Sequence, residues 1–157
     1  MLKLLQKGKT ALRRNHMDKS TDKLFNEIKD TTDIDLYLEN NQTIFLDNPF
    51  IVYLNQLLIT KSLKKSDLIS CADISKQYLY ELFTNKKKKP SRDIVIKLAF
   101  GLHLDLEETN LLLKKAGFSS LYPKIKRESV IIYCILKKKS LIDTNLSLYE
   151  KQLDILK

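Results

Sequence analysis

The residues with reactive side chains in this sequence are few and scattered. His16 and His103 stand alone, and Cys71 and Cys134 have no partner at metal-ligand spacing. Both cysteines lie in apolar stretches, so they are expected to be buried free thiols and not a disulfide or a zinc site. No Ser/His/Asp or Cys/His arrangement is visible, and no glycine-rich loop that would cradle a phosphate. Glu107 and Glu108 form an acidic pair, but they open a helix, where capping and the helix dipole account for them. The expectation is therefore a protein with no catalytic residue, no metal and no cofactor.

What the chain does offer is charge. It carries 28 Lys and Arg against 19 Asp and Glu over 157 residues, a net +9. That surplus favours a polyanionic partner such as nucleic acid or an acidic membrane. The charge is uneven. Met1 to Lys19 has six basic residues and one acid, Ser20 to Phe50 two and seven, and Lys61 to Lys97 ten and four. The densest run is Lys86 to Lys89, in a polar loop between Asn85 and Pro90. No stretch approaches the roughly 20 apolar residues that span a bilayer, and the start lacks an apolar run of signal-peptide length. A cytoplasmic protein without a membrane role is expected.

Only three Gly and three Pro are present, which favours long helices over many turns. Ser20 to Lys29 predicts a helix with Leu24, Phe25 and Ile28 on one side. Thr32 is a candidate N-cap for a second helix, Asp33 to Glu39. Phe50 to Lys61 places Phe50, Leu54, Leu57 and Leu58 at helical spacing. Ser66 to Ala72 and Ser75 to Phe83 read as two short helices. Ser91 caps a helix running to about Gly101, and Asp105 to Lys115 forms another, which Ala116-Gly117 stops. Ser91 to Leu113 then matches Lys126 to Leu148 at a spacing of 35 residues. Arg92-Asp93 falls on Arg127-Glu128, and Thr109-Asn110-Leu111 on Thr144-Asn145-Leu146. Two stacked helical hairpins are expected from this repeat.

Between Leu54 and Glu108 the order of residues resembles a known pattern. Leu54, Leu57 and Leu63 are followed by Lys65-Ser-Asp-Leu-Ile69, Asp73-Ile-Ser75, Leu79, Leu82-Phe-Thr-Asn85, Leu98-Ala99, Leu102 and Leu106-Glu-Glu108. This is similar to the lambda-repressor/Cro (XRE) helix-turn-helix family of bacterial and phage transcriptional regulators. The family's usual turn glycine is Asp73 here, a side chain that tolerates left-handed backbone. Its usual small residue in the first helix of the pair is Ile69, its usual Gln is Lys65, and its glycine after the second helix is Asn85.

The resemblance implies an all-α fold: a five-helix lambda-repressor-like domain with N-terminal helices and a C-terminal helical hairpin. It implies a sequence-specific DNA-binding regulator, with a repressor as the expected kind. The helix Ser75 to Phe83 would enter the major groove, braced across a tight turn by Leu68, Ile74, Leu79 and Leu82. By position, Lys76, Gln77, Tyr80 and Glu81 would contact bases. Lys76 suits guanine, Gln77 adenine, Glu81 the cytosine amino group and Tyr80 a thymine methyl. Lys65, Lys86, Lys88, Lys89 and Arg92 would contact phosphates. The tail bearing Lys3, Lys7, Lys9, Arg13 and Arg14 is a candidate arm along DNA.

The expected organisation is a basic tail over 1–19, a short acidic helical segment over 20–47, the helix-turn-helix domain over 48–117 and a helical extension over 118–157. Double-stranded DNA is the expected partner and a homodimer the expected state, since one module reads few base pairs. Val130, Ile131, Tyr133, Cys134, Leu146, Tyr149, Leu153 and Leu156 either form the dimer surface or pack on their own subunit. The competing function is a protein-interaction adaptor or antitoxin-like subunit, whose helical extension grips a protein partner.

Overall fold

A computed structural model describes residues 19–42, 44–45, 48–84 and 88–157. All regular structure among them is helical. The chain divides into two compact units, Met1–Asp47 and Asn48–Lys157. The candidate arm residues up to Arg14 lie outside the described residues.

In the first unit, α1 (Thr21–Asp30) starts at Ser20, whose hydroxyl accepts the Lys23 N–H. Helix α2 (Ile34–Asn40) is capped by Asp33, which accepts the N–H groups of Asp35 and Leu36. This corrects the expectation that Thr32 is the cap. Asp33 supplies a carboxylate at the positive end of the helix, where a neighbouring threonine offers only a hydroxyl. The Lys19 ammonium donates to Glu27 and to the buried Asn41, and Asn41 donates to the Tyr37 carbonyl. Hydrogen bonding to Lys19 holds the Glu27 carboxyl below the usual carboxylate range. Phe25 and Ile28 stay exposed, and Tyr37 is the buried apolar residue of the pair.

The second unit begins with α3 (Pro49–Thr60). Asn48 caps it by accepting the Ile51 N–H, and Pro49 stands in the first turn, where no N–H is needed. Helices α4 (Lys65–Cys71), α5 (Lys76–Thr84), α6 (Arg92–Gly101) and α7 (Leu106–Lys115) follow. The chain ends in α8 (Lys126–Leu136) and α9 (Leu141–Glu150). One apolar core runs through all seven, with Leu54, Leu68, Leu82, Ile96, Leu102, Leu112, Ile131 and Leu148 fully buried. At Gly101 helix α6 packs tightly on the end of α4. A β-carbon there would lie 2.8 Å from that of Ala72 and 3.3 Å from a Leu68 methyl. Of the two cysteines, Cys134 is buried as expected, whereas Cys71 is exposed at the last residue of α4.

Helices α3, α4, α6, α7, α8 and α9 stop by a common device. Ser62, Asp73, His103, Gly117, Lys138 and Gln152 all adopt positive φ, between 48° and 84°. The N–H of the next residue bonds back five positions: Leu63 to Leu58, Ile74 to Ile69, Leu104 to Ala99, Phe118 to Leu113, Lys139 to Cys134 and Leu153 to Leu148. These bonds satisfy carbonyls that a helix end leaves open.

The 35-residue repeat is present in the fold, down to single hydrogen bonds. Arg92 donates to the carbonyls of Ser119 and Ser120, and Arg127 to those of Asp154 and Ile155. Asn110 accepts the Leu121 N–H, and Asn145 the Leu156 N–H. Across the hairpins the pairing is reciprocal: Arg92 binds Glu128, and Arg127 binds Asp93, each at 2.8 Å. Glu128 also accepts the Tyr122 N–H, and Asp93 that of Lys157. Residue i meeting j' while j meets i' is the pattern of a two-fold contact. Hairpins α6–α7 and α8–α9 are thus packed as two copies of one unit around a pseudo-two-fold. Ile131, Cys134 and Leu156 are spent on this intramolecular core, while Tyr133, Leu146 and Tyr149 are exposed.

Candidate nucleic-acid interface

The geometry of α5 follows from its two faces. Ser75 caps the helix, its hydroxyl accepting the Tyr78 N–H at 3.1 Å. Leu79 and Leu82 point inwards and are buried with Leu68 of α4, and Ala72 and Ile74 fill the turn between the two helices. The turn pivots on Asp73 at φ 48°, an angle that lets the chain reverse in three residues. From behind, the buried Lys97 of α6 extends its ammonium to 3.7 Å from the Asp73 carboxylate. Asp73 is almost fully exposed, so this contact orients the turn more than it stabilises it.

The opposite face of α5 is open. Lys76 and Gln77 are exposed on its first turn, and Tyr80 is 70% exposed one turn later. Glu81 is on the same side but half-buried, because neighbours have claimed it. Gln77 donates to one of its carboxylate oxygens at 3.3 Å and Lys88 to the other at 3.0 Å. Hydrogen bonding to Lys88, then to Gln77, holds the Glu81 carboxyl below the usual range.

Two lysines are fixed beside α5 by aromatic rings. The Lys65 ammonium sits 4.0 Å from the centre of the Phe83 ring, and that of Lys88 4.5 Å from the Tyr78 ring. A cation over an aromatic face is held by the ring quadrupole while its outer side remains open. Lys89 is exposed, as is Lys64, which precedes α4. Lys86 lies outside the described residues.

Arg92 does not join this set. Its guanidinium donates to Glu128 and to the Ser119 and Ser120 carbonyls, 27 to 36 residues further along the chain. Four of its five guanidinium donors are occupied there, two by Glu128 of α8 and two by the segment after α7, which leaves one for the phosphate contact expected of Arg92. Sequence spacing did not point to Lys64, nor to Tyr78 and Phe83 as supports for lysines. The available signal was aromatic residues interleaved with a basic stretch, but the long separation of Tyr78 from Lys88 hides the pairing.

The arrangement is two short helices joined by a tight turn, the second carrying an uncommitted polar face flanked by lysines. The family model of the Cro/C1-type HTH DNA-binding domain matches residues 53–109. Those residues are a Cro/C1-type helix-turn-helix domain. No curated protein and no solved structure matches the chain. The matched span contains the whole helix-turn-helix pair, α4 and α5, and most of α3 before it. It ends in the first turn of α7, so the α8–α9 hairpin lies beyond it. Within this helix-turn-helix domain, α4 is the brace and α5 the helix with the free face. Among the described residues, no helix is long and apolar enough to cross a membrane, and no group of His, Cys, Asp and Glu could hold a metal ion.

Proposed function

We propose that the protein is a sequence-specific regulator of transcription, a repressor, that reads the major groove with the outer face of α5. One observation supports this above the rest: Lys76, Gln77 and Tyr80 are exposed together on a helix whose other face is buried against its brace. Lys76 suits guanine O6 and N7, and Tyr80 a thymine methyl. Gln77 spends one amide hydrogen on Glu81. Its second hydrogen and its carbonyl stay free, the pair needed for adenine N7 and N6. In this reading Glu81 positions Gln77 and Lys88 and does not accept from cytosine. Lys65, Lys86, Lys88 and Lys89 neutralise phosphates. Repression by occupying a promoter asks nothing of the protein beyond tight and specific binding. A chromosomal target places it in the cytoplasm, and two copies double the length of the site.

The test is a salt titration on duplexes selected from a random library. Four neutralised phosphates give a slope of log K on log salt of about −3.6. Lys88→Ala combined with Lys89→Ala reduces that slope by roughly two and weakens all sequences alike. An effect confined to one sequence contradicts the phosphate role. A second reading, the protein-interaction adaptor, draws on the exposed Phe25, Ile28, Ile34, Leu36 and Leu38 of the first unit. It predicts DNA binding that is weak and indifferent to these lysines.

A further inference from the structure

The repeat makes an internal comparison possible. Positions 35 apart share backbone, caps and hydrogen bonds, so what covers one hairpin can be compared with what covers the other. On α6 the face bearing Lys97, Leu98 and Gly101 is buried, with the brace helix α4 seated on it at Gly101. At the same positions α8 carries Ile132, Tyr133 and Leu136. Here Tyr133 is 53% and Leu136 61% exposed. Ile125, the counterpart of the buried Pro90, is 48% exposed. Ser129 and Ile132 lie half-buried between, so Ile125 and Leu136 end a stripe at i, i+4, i+7 and i+11.

The grooves beside the two hairpins differ in the same way. One lies between the end of α6 and the start of α9, and Ser70, Cys71 and Asp73 of the brace and turn close one side of it. Its counterpart, about 530 Å³, lies between the end of α8 and the start of α7, on a floor of Phe100, Leu106, Ile135 and Leu136. Lys61 of the α3 end stands at its edge, and no helix among the described residues takes the place that α4 holds on α6.

Charge selects the occupant. Lys124 and Lys126 flank Ile125, and Lys137, Lys138 and Lys139 follow Leu136. The Lys137 and Lys139 ammonium groups lie 5.9 Å and 5.5 Å from the centre of the Tyr133 ring. Of the acids on the flanking elements, Glu128 is spent on Arg92, and Asp105 and Glu108 on capping α7 and on Lys61. Glu107 and Asp143, in the first turns of α7 and α9, are left against the five lysines. Two such faces brought together would set lysine against lysine, so the stripe does not suit a second copy. DNA would use the lysines but not the aliphatic stripe. In the first hairpin the equivalent face receives a short helix.

We propose that the α8 face centred on Tyr133 and Leu136 docks an acidic amphipathic helix of a partner protein, laid on it as α4 lies on α6. Leu136 stands where α6 has Gly101, so the partner sits a side-chain layer further out and its apolar residues reach into the groove beside Leu136. The face shares no residue with α5, so the inference stands apart from the regulator reading.

The experiment selects displayed helical peptides about 15 residues long on the full chain. The expected winners carry Leu or Phe at i, i+3 and i+4 with Asp and Glu beside them. Leu136→Asp and, separately, Lys137→Glu with Lys139→Glu weaken the best of them at least about tenfold, while the Leu146→Asp chain binds it like the native one. Thermal unfolding of the Leu136→Asp chain stays unchanged, because the site is largely exposed. In hydroxyl-radical labelling the peptide protects Tyr133. Winners without an acidic excess, or equal binding by the Leu136→Asp chain, overturn the proposal. So does a Tyr133 already protected in the protein alone, which would mean that the chain or a second copy covers the face. Protection by duplex DNA and not by the peptide also overturns it, and makes the face a nucleic-acid contact.

Discussion

Replacing Lys76 and Gln77 together by alanine is expected to cost the protein about 2–5 kcal/mol of specific binding, roughly 30- to 5,000-fold, with general affinity for DNA nearly intact. The two side chains lie on the first turn of α5, exposed and aimed away from the core. In the proposed reading their loss removes base-edge contacts, while Lys65 and Lys88 stay where Phe83 and Tyr78 hold them. Stability should not change, since neither side chain contributes to the apolar core. The measurement is a competition assay of one selected duplex against random duplex at fixed salt. An equal loss on both would mean that the pair acts only as charge.

The second large effect is on stability. Glu128 is buried and accepts three hydrogen bonds, two from Arg92 and one from the Tyr122 N–H. Glu128→Ala leaves a half-buried guanidinium with only carbonyl partners and an unpaired backbone donor, a combination worth about 3 kcal/mol. The equivalent Asp93→Ala should cost less, about 1–2 kcal/mol, because the Arg127–Asp93 pair is the more exposed of the two. Urea unfolding of the full chain checks both, with the midpoint lowered and the slope unchanged. A loss under about 0.5 kcal/mol for Glu128→Ala would show that the pair is only a surface contact. The Glu128→Ala chain would also be informative on DNA: its α5 face is untouched, so selected duplexes should still bind at temperatures where it stays folded.

The sequence made some of this visible and hid the rest for physical reasons. Helices α3 to α7 were legible to within a residue or two because Leu and Ile recur at helical spacing and Ser75, Ser91 and Asp105 mark the starts. Their ends were harder. Of the six left-handed stops, only Gly117 announces itself by residue type, and Asp73 by its place in the turn. At Ser62, His103, Lys138 and Gln152 the stop is enforced by the bond back to the helix, and in three of the four also by the apolar residue that follows. The repeat was visible as a 35-residue offset, but its reciprocal ion pairs were not, because which acid each arginine meets depends on how the hairpins face each other. That is why the part Arg92 plays between the hairpins was hidden by its place beside the lysine run.

At the candidate interface, part of the exposed face of α5 followed from helical periodicity: with Leu79 and Leu82 inside, Gln77 and Tyr80 face out, while Lys76, three residues before Leu79, stands at the margin of the buried face. What periodicity could not show was the state of each side chain. Glu81 is clamped between Gln77 and Lys88, and Lys88 and Lys65 are moored to aromatic rings. These contacts cross turns and loops, where spacing carries no information.

The central claim, that α5 lies in the major groove, is tested most directly by titrating a selected duplex into the isotope-labelled full chain and following amide and side-chain signals by NMR. The largest shifts are expected at Lys76, at the Gln77 side-chain amide and at Tyr80, together with protection of guanine N7 against methylation within the same site. Unmoved α5 signals, with shifts gathered instead on the first unit or on α9, would contradict it.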